Sequence, residues 1–287
     1  MKDKKEENME TPHKFVTEDS IKQPGLPVIP LVFFFILSFL LNWTVILLYQ
    51  YVPFAPLQIL MAWSPNIAAI VVVTFVLKEE NGVRNLLRGW KKWKLDPFWY
   101  LVGFSPIIIT FIMIIIAYFL LGESPNSSES PINWGYVLFM VVIMLFTGAT
   151  GEELGWRGFL QPQLQTRFNW VMSSIIVGLC WGFWHLPLFV IGVYQSNLTL
   201  YLIVTVSYSI IIGWAFNKTN QSIFITSMVH YFANFSSVLL TSTGLGLIKS
   251  EVYSLLAPVL YSLFAIGVII LSGVREKHFS AVQPAKE

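Results

Sequence analysis

Six residues of this 287-residue chain have the types and spacing to act on water together. Glu152, Glu153 and Arg157 lie in TGATGEELGWRGFLQ, His185 lies in CWGFWHLP, and His230 and Asn234 lie in SMVHYFAN. A carboxylate and an imidazole can take a proton from water as it attacks. A second imidazole and an amide can donate to the oxyanion that forms on an attacked carbonyl, at about 3–4 kcal/mol for a good donor. On a helix, Glu153 and Arg157 stand at i and i+4, on one face and within reach of each other. Glu152 projects about 100° away and is less directly neutralised by Arg157. Two adjacent carboxylates in unlike surroundings separate into a working base and its support. Glu152 is therefore the expected general base, with Glu153 and Arg157 holding the arrangement.

Other chemistry remains open from these residues. Glu152, Glu153 and Arg157 would also serve as an interfacial cap on an apolar helix. Cys180 is the one cysteine, five residues before His185, so a Cys–His pair is conceivable and a disulfide within the chain is not. Ser173 and Ser174 precede His185 by about three helical turns, too far for a serine–histidine pair. Glu152, His185 and His230 could ligate zinc with one position open. However, the sequence lacks a closely spaced HExxH pair, and Asn234 beside His230 suits hydrogen-bond donation better. No cofactor is expected, with zinc as the alternative. Buried Glu, Arg and His would also suit a proton-coupled transporter, although no paired repeats with broken helices are evident.

The elements that must carry these residues are written in the composition. The chain is 55% hydrophobic and 12% charged, against roughly 25% charged for an ordinary soluble domain. Apolar runs of about 20 residues, the length that crosses a bilayer as helix, recur throughout. We expect an all-α, polytopic transmembrane bundle of about eight spans, near 28–48, 57–77, 98–121, 134–151, 170–190, 198–216, 222–242 and 254–272. If the N-terminus is cytoplasmic, 17 of the 18 lysines and arginines fall on the inner side and only Lys249 falls outside. Such asymmetry predicts both termini in the cytoplasm. Residues 1–27 and 274–287 are expected to be cytoplasmic tails, the first disordered, around a single domain over 28–273. The net charge of +2 is too small and too scattered to suggest nucleic acid. The expected partners are the lipid bilayer and a peptide or membrane-protein substrate, in an integral membrane protein suited to a bacterial plasma membrane.

Each charged side chain near mid-bilayer costs about 2.5–3.5 kcal/mol on insertion scales, so charges kept there mark a site. A polar stripe through Ser222, Thr226, His230, Asn234, Ser237 and Thr241 recurs at helical period. It must face the bundle or a water-filled cavity, because lipid cannot satisfy it. Gly151, Gly155 and Gly158 would let another helix come close to the glutamates. Pro187, just past His185, can open the helix backbone. One geometric demand follows. His185 lies about 15 residues into its span, roughly 22 Å along a helix, so Arg157 to Trp170 must dip into the bundle for Glu152 to meet it.

These motifs resemble those of the CPBP family, the CAAX-type intramembrane proteases and bacteriocin-processing enzymes also called Abi. EELGWR looks like its EExxxR motif, HYFAN like its HxxxN motif, and WGFWH like its FxxxH motif with Trp181 in place of Phe. The resemblance covers about 136–240. It implies a helical intramembrane endopeptidase of the type II CAAX prenyl protease kind. The residues matching Glu152 and His185 would activate water, and those matching His230 and Asn234 would bind the oxyanion. Trp181, Trp184 and Thr226 are the expected lining of a substrate groove. The same family also implies alternatives: a metalloprotease, or a non-catalytic bacteriocin-immunity or scaffold protein.

Overall fold

Helix follows the apolar runs throughout the computed structural model, which describes residues 28–52, 54–123, 134–241 and 248–273. No strand occurs among them, as lipid requires of a chain that cannot close a barrel. The expected tails at 1–27 and 274–287 lie outside the described residues. The first half of the chain gives α1 (Val28–Tyr51), α2 (Ala55–Ala62), α3 (Ser64–Val71), α4 (Gly82–Leu87), α5 (Pro97–Gly103) and α6 (Ser105–Ile115). The second half gives α7 (Trp134–Met144), α8 (Thr150–Glu153), α9 (Gln161–Gln165), α10 (Trp170–Trp184), α11 (Leu186–Val190), α12 (Leu198–Lys218), α13 (Ile223–Thr241) and α14 (Ser250–Ser272).

Among the described residues, five helices are long and apolar enough to cross a membrane, and seven if each of two bent pairs counts as one span. The bends are 56° between α2 and α3 and 49° between α5 and α6. Each falls where a Ser-Pro pair restarts the helix, at Ser64–Pro65 and Ser105–Pro106. The one expected span missing from these seven is that near 222–242, which is α13. Its polar residues dilute its apolar character, and several of them turn inward: Thr226, Ser227, His230 and Ser236 are all buried.

The sequence places the end of the fourth span near residue 151, whereas the structure carries that helix on to Gln165. The reason is local. Between α7, α8 and α9 the backbone widens into π-helical turns at Leu145–Ala149 and Leu154–Leu160 but does not stop. Buried Leu154, Trp156, Phe159, Leu160 and Leu164 pull it into the core. A run of 29 residues from Val137 to Gln165 is about 43 Å long, more than a 30 Å hydrocarbon core needs. The glutamates therefore stand in the middle of a helix. The segment after Arg157 does enter the bundle, as the demand on His185 required. Around it, α10 packs along α12 and α12 along α14, while α3 and α13 close on α8.

Candidate active site

The site begins with a helix held open. Asn66 of α3 is 1% exposed. Its Nδ2 donates to the Thr150 carbonyl at 2.7 Å, and its Oδ1 accepts from the Gly155 amide at 2.9 Å. One side-chain amide thus satisfies backbone groups on either side of the two glutamates, where the π-helical turn begins. Gly155 makes this approach feasible, because a Cβ there would lie 2.5 Å from the carbonyl carbon and oxygen of Pro65. Gly151 likewise faces Trp63 and the Ala62 carbonyl closely. Gly158 makes only ordinary contacts, so two of the three glycines serve the close approach expected of them. Widened turns of this kind often accompany functional sites.

From that turn the two glutamates part company. Glu153 and Arg157 are both 0% exposed, and the Arg157 guanidinium donates to Glu153 Oε1 at 3.0 Å. The same oxygen accepts from His230 Nδ1 of α13 at 2.8 Å. A carboxylate can only accept, so His230 carries a proton on Nδ1 and turns Nε2 the other way. Glu152, 4% exposed, has no such charge partner in contact. Its Oε2 accepts from two indoles, Trp181 Nε1 at 2.7 Å and Trp156 Nε1 at 3.3 Å. The unlike surroundings expected from the spacing are present.

Trp181 joins the remaining parts. Its indole holds Glu152, and its backbone carbonyl accepts from His185 Nδ1 at 2.9 Å. That bond leaves His185 Nε2 as the free ring nitrogen. The Trp181 ring lies 4.8 Å from the His230 ring, edge to face, with the Arg157 guanidinium 5.5 Å from its centroid. His185 sits at the break between α10 and α11, where Pro187 restarts the helix as expected. Tyr194 and Tyr201 flank its ring at 6.0 Å and 5.6 Å.

Asn234 completes the group through Gly148. A Cβ on Gly148 would lie 2.4 Å from Asn234 Nδ2 and 3.6 Å from His230 Nε2. The two prospective oxyanion donors therefore meet over one bare patch of backbone. Ser227 secures α13 to that patch, donating to the Ala149 carbonyl at 3.0 Å.

The structure thus brings Glu152, Glu153, Arg157, His185, His230 and Asn234 into one connected cluster around Trp181 and Gly148. It does not bring the expected groove residues to an open surface. Trp181 is 4% exposed and lies at the centre of the cluster. Trp184 is buried, donates to the Ser38 carbonyl and Ser64 Oγ, and through its own carbonyl accepts from Asn42 and Trp43. Thr226 is buried and bonds to the Ile223 carbonyl of its own helix. Cys180 and His185 project about 140° apart around the helix axis. Among the described residues no group of three His, Cys, Asp or Glu is placed to hold a metal ion. Glu152, His185 and His230 are not gathered into such a group, although the bonds to Glu152 Oε2 and to Nδ1 of each imidazole leave Oε1 and both Nε2 atoms as potential ligand atoms.

Three site residues escaped the sequence. Trp156 was legible in principle, at i+4 from Glu152 within EELGWR. Asn66 was signalled only as a lone amide in the apolar run SPNIAAI. Gly148 gave no signal of its own, because its role is to lack a side chain.

Comparison with known proteins agrees with the motifs over this region. Residues 133–236 match the family described as type II CAAX prenyl endopeptidase Rce1-like. A stretch of 112 residues is 34% identical to CAAX prenyl protease 2 of Methanococcus maripaludis. That stretch is 36% of this chain and 41% of the length of that relative. The family match therefore covers the helices that bear Glu152, His185, His230 and Asn234 and does not reach the first three spans.

Proposed function

We propose that this integral membrane protein is an intramembrane endopeptidase in which Glu152 and His185 activate water for attack on a peptide carbonyl. One observation carries the proposal: a single residue, Trp181, binds the carboxylate of Glu152 through its side chain and the imidazole of His185 through its carbonyl. One residue thus links a carboxylate from one helix to an imidazole from another, which supports a shared role. Among the described residues, hydrogen bonds reach only Oε2 of Glu152, so Oε1 is free to accept a proton from water. His185 Nε2 offers a second acceptor, able to pass that proton to the leaving amine.

The carbonyl oxygen, once attacked, needs donors where its charge develops. Asn234 Nδ2 and His230 Nε2 converge over Gly148 and supply them. Donation from Nε2 requires His230 to carry both ring protons, and the Glu153 carboxylate at Nδ1 compensates that charge. Arg157 fixes Glu153 in turn.

The substrate class proposed is a membrane-tethered peptide or membrane protein, a prenylated C-terminal peptide among them, as the name of the archaeal relative suggests. The test is reconstitution into vesicles with a library of lipid-tethered peptides, with product ends read by mass spectrometry. Wild type should yield discrete cleavage products that Glu152→Ala and His185→Ala do not. Equal cleavage by all three would refute the assignment.

A further inference from the structure

A second polar recess lies away from this site, at the basic end of the bundle. Its volume is about 200 Å³. Arg88 and Lys92 line it together with the amides of Asn85 and Gln221, and Phe216 and Gly158 form part of its wall. No acidic residue lines it. Burial, and then the neighbouring Arg88, hold the Lys92 amine below the ordinary lysine value. Two cations thus share a recess with no counter-charge, an arrangement that an anion would relieve.

The recess is built rather than incidental. Lys92 Nζ donates to the Asn220 carbonyl, and Ser222 Oγ donates to the Lys92 carbonyl at 2.6 Å. Gly89 presses so close that a Cβ there would lie 2.5 Å from Ile223 Cγ1 and 2.8 Å from the Gln221 carbonyl. Asn220 and Gln221 both take left-handed backbone angles, φ 52° and 64°, a conformation unusual for glutamine. These contacts clamp the segment after α4 to the start of α13, the helix that bears His230 and Asn234. Gly158, on the opposite wall, follows Arg157 directly.

We propose that this recess binds a phosphate group, that of an anionic phospholipid headgroup, through the Arg88 guanidinium, the Lys92 ammonium and the Asn85 and Gln221 amides. The chemistry suits its place. Guanidinium and ammonium groups are the usual partners of phosphate. Basic pockets between transmembrane helices at the cytoplasmic surface take anionic headgroups, and the positive-inside rule assigns this end to the cytoplasm. A bound headgroup would join α4, α13 and the helix of Arg157 at their shared end. The proposal does not depend on catalysis.

The test uses the full chain in detergent, titrated with phosphatidylglycerol or phosphatidylcholine and read by native mass spectrometry. A parallel arm adds inorganic phosphate alone and reads thermal melting. Wild type should retain phosphatidylglycerol in preference to phosphatidylcholine. Arg88→Gln with Lys92→Gln should weaken that retention by on the order of tenfold or more, from about 1 kcal/mol per basic residue near an anionic surface. Lys91→Gln with Lys94→Gln, which removes as much charge from outside the recess, should leave it near wild type. Arg88 is exposed, so Arg88→Gln alone keeps the test valid if loss of the Lys92 bond impairs folding. Equal weakening by the two pairs would reduce the effect to general surface charge and overturn the proposal. No preference for phosphatidylglycerol, with no melting shift from phosphate, would also overturn it. A melting shift from inorganic phosphate, lost in Arg88→Gln and without lipid preference, would keep the phosphate site and overturn the lipid as its source.

Discussion

Two buried polar regions run through this bundle, and they differ in kind. Between α10, α12 and α14 the polar groups are neutral. Ser209 donates to the Ser174 carbonyl at 2.7 Å, and Ser207 meets Ser262 at 3.1 Å while bonding to the Ile203 carbonyl of its own helix. Tyr208 packs on Tyr261 with ring centroids 4.2 Å apart. Around Trp181 the polar groups are two carboxylates, a guanidinium and two imidazoles, and both carboxylates take a bond from another helix, Glu152 from Trp181 and Glu153 from His230. The first region is what a membrane bundle needs to hold helices together, since hydroxyls can fall back on their own backbone. The second exceeds that need. Ionisable groups in a membrane interior are costly, and here they converge on one patch. Hydroxyl seams report packing, whereas converging charges report chemistry.

Substitutions in the two regions should separate these roles. The largest loss of stability should come from Arg157→Ala, which leaves Glu153 buried and without its guanidinium partner. We expect about 3–5 kcal/mol, read as a large drop in melting temperature or a failure to accumulate in the membrane. Trp181→Phe should be gentler on folding and harder on activity. It keeps a ring but removes the N–H from Glu152, and a hydrogen bond to a charged group contributes about 1.5–3 kcal/mol. Cleavage should fall roughly 10- to 100-fold, with a smaller loss of melting temperature than in Arg157→Ala. Asn66→Ala should cost about 1–3 kcal/mol, because it strands a buried carbonyl and amide on either side of the glutamates. Activity and melting should fall together there. Ser207→Ala in the neutral seam should change stability by about 1 kcal/mol or less and leave cleavage at wild-type level. Strong loss of cleavage from Ser207→Ala, with none from Trp181→Phe, would reverse the distinction between the regions.

The sequence showed much of this because membranes make polar residues conspicuous. Glu153 and Arg157 were paired by their i, i+4 spacing, and His230 and Asn234 shared a stripe at helical period. Apolar runs marked the helices. The course of the fourth helix was not visible, because GWRGFLQPQLQ is polar enough to pass for an interfacial loop. Only packing of Trp156, Phe159, Leu160 and Leu164 keeps it helical and buried. Trp181 was placed in a groove for its aromatic surface. Its function as a linker depends on where its N–H and carbonyl point, which needs two other helices in position. Asn66 lay outside every motif, since a lone amide does not announce which backbone it will hold.

The most direct measurement concerns Glu152 alone. Glu152→Gln keeps the shape and an oxygen acceptor for the indoles of Trp181 and Trp156 but cannot accept a proton from water. In vesicles with a cleavable tethered peptide we expect its rate to fall at least about a hundredfold, as loss of a general base implies, while its melting temperature stays near that of wild type. Cleavage by Glu152→Gln at the wild-type rate would contradict the assignment of this carboxylate as the base.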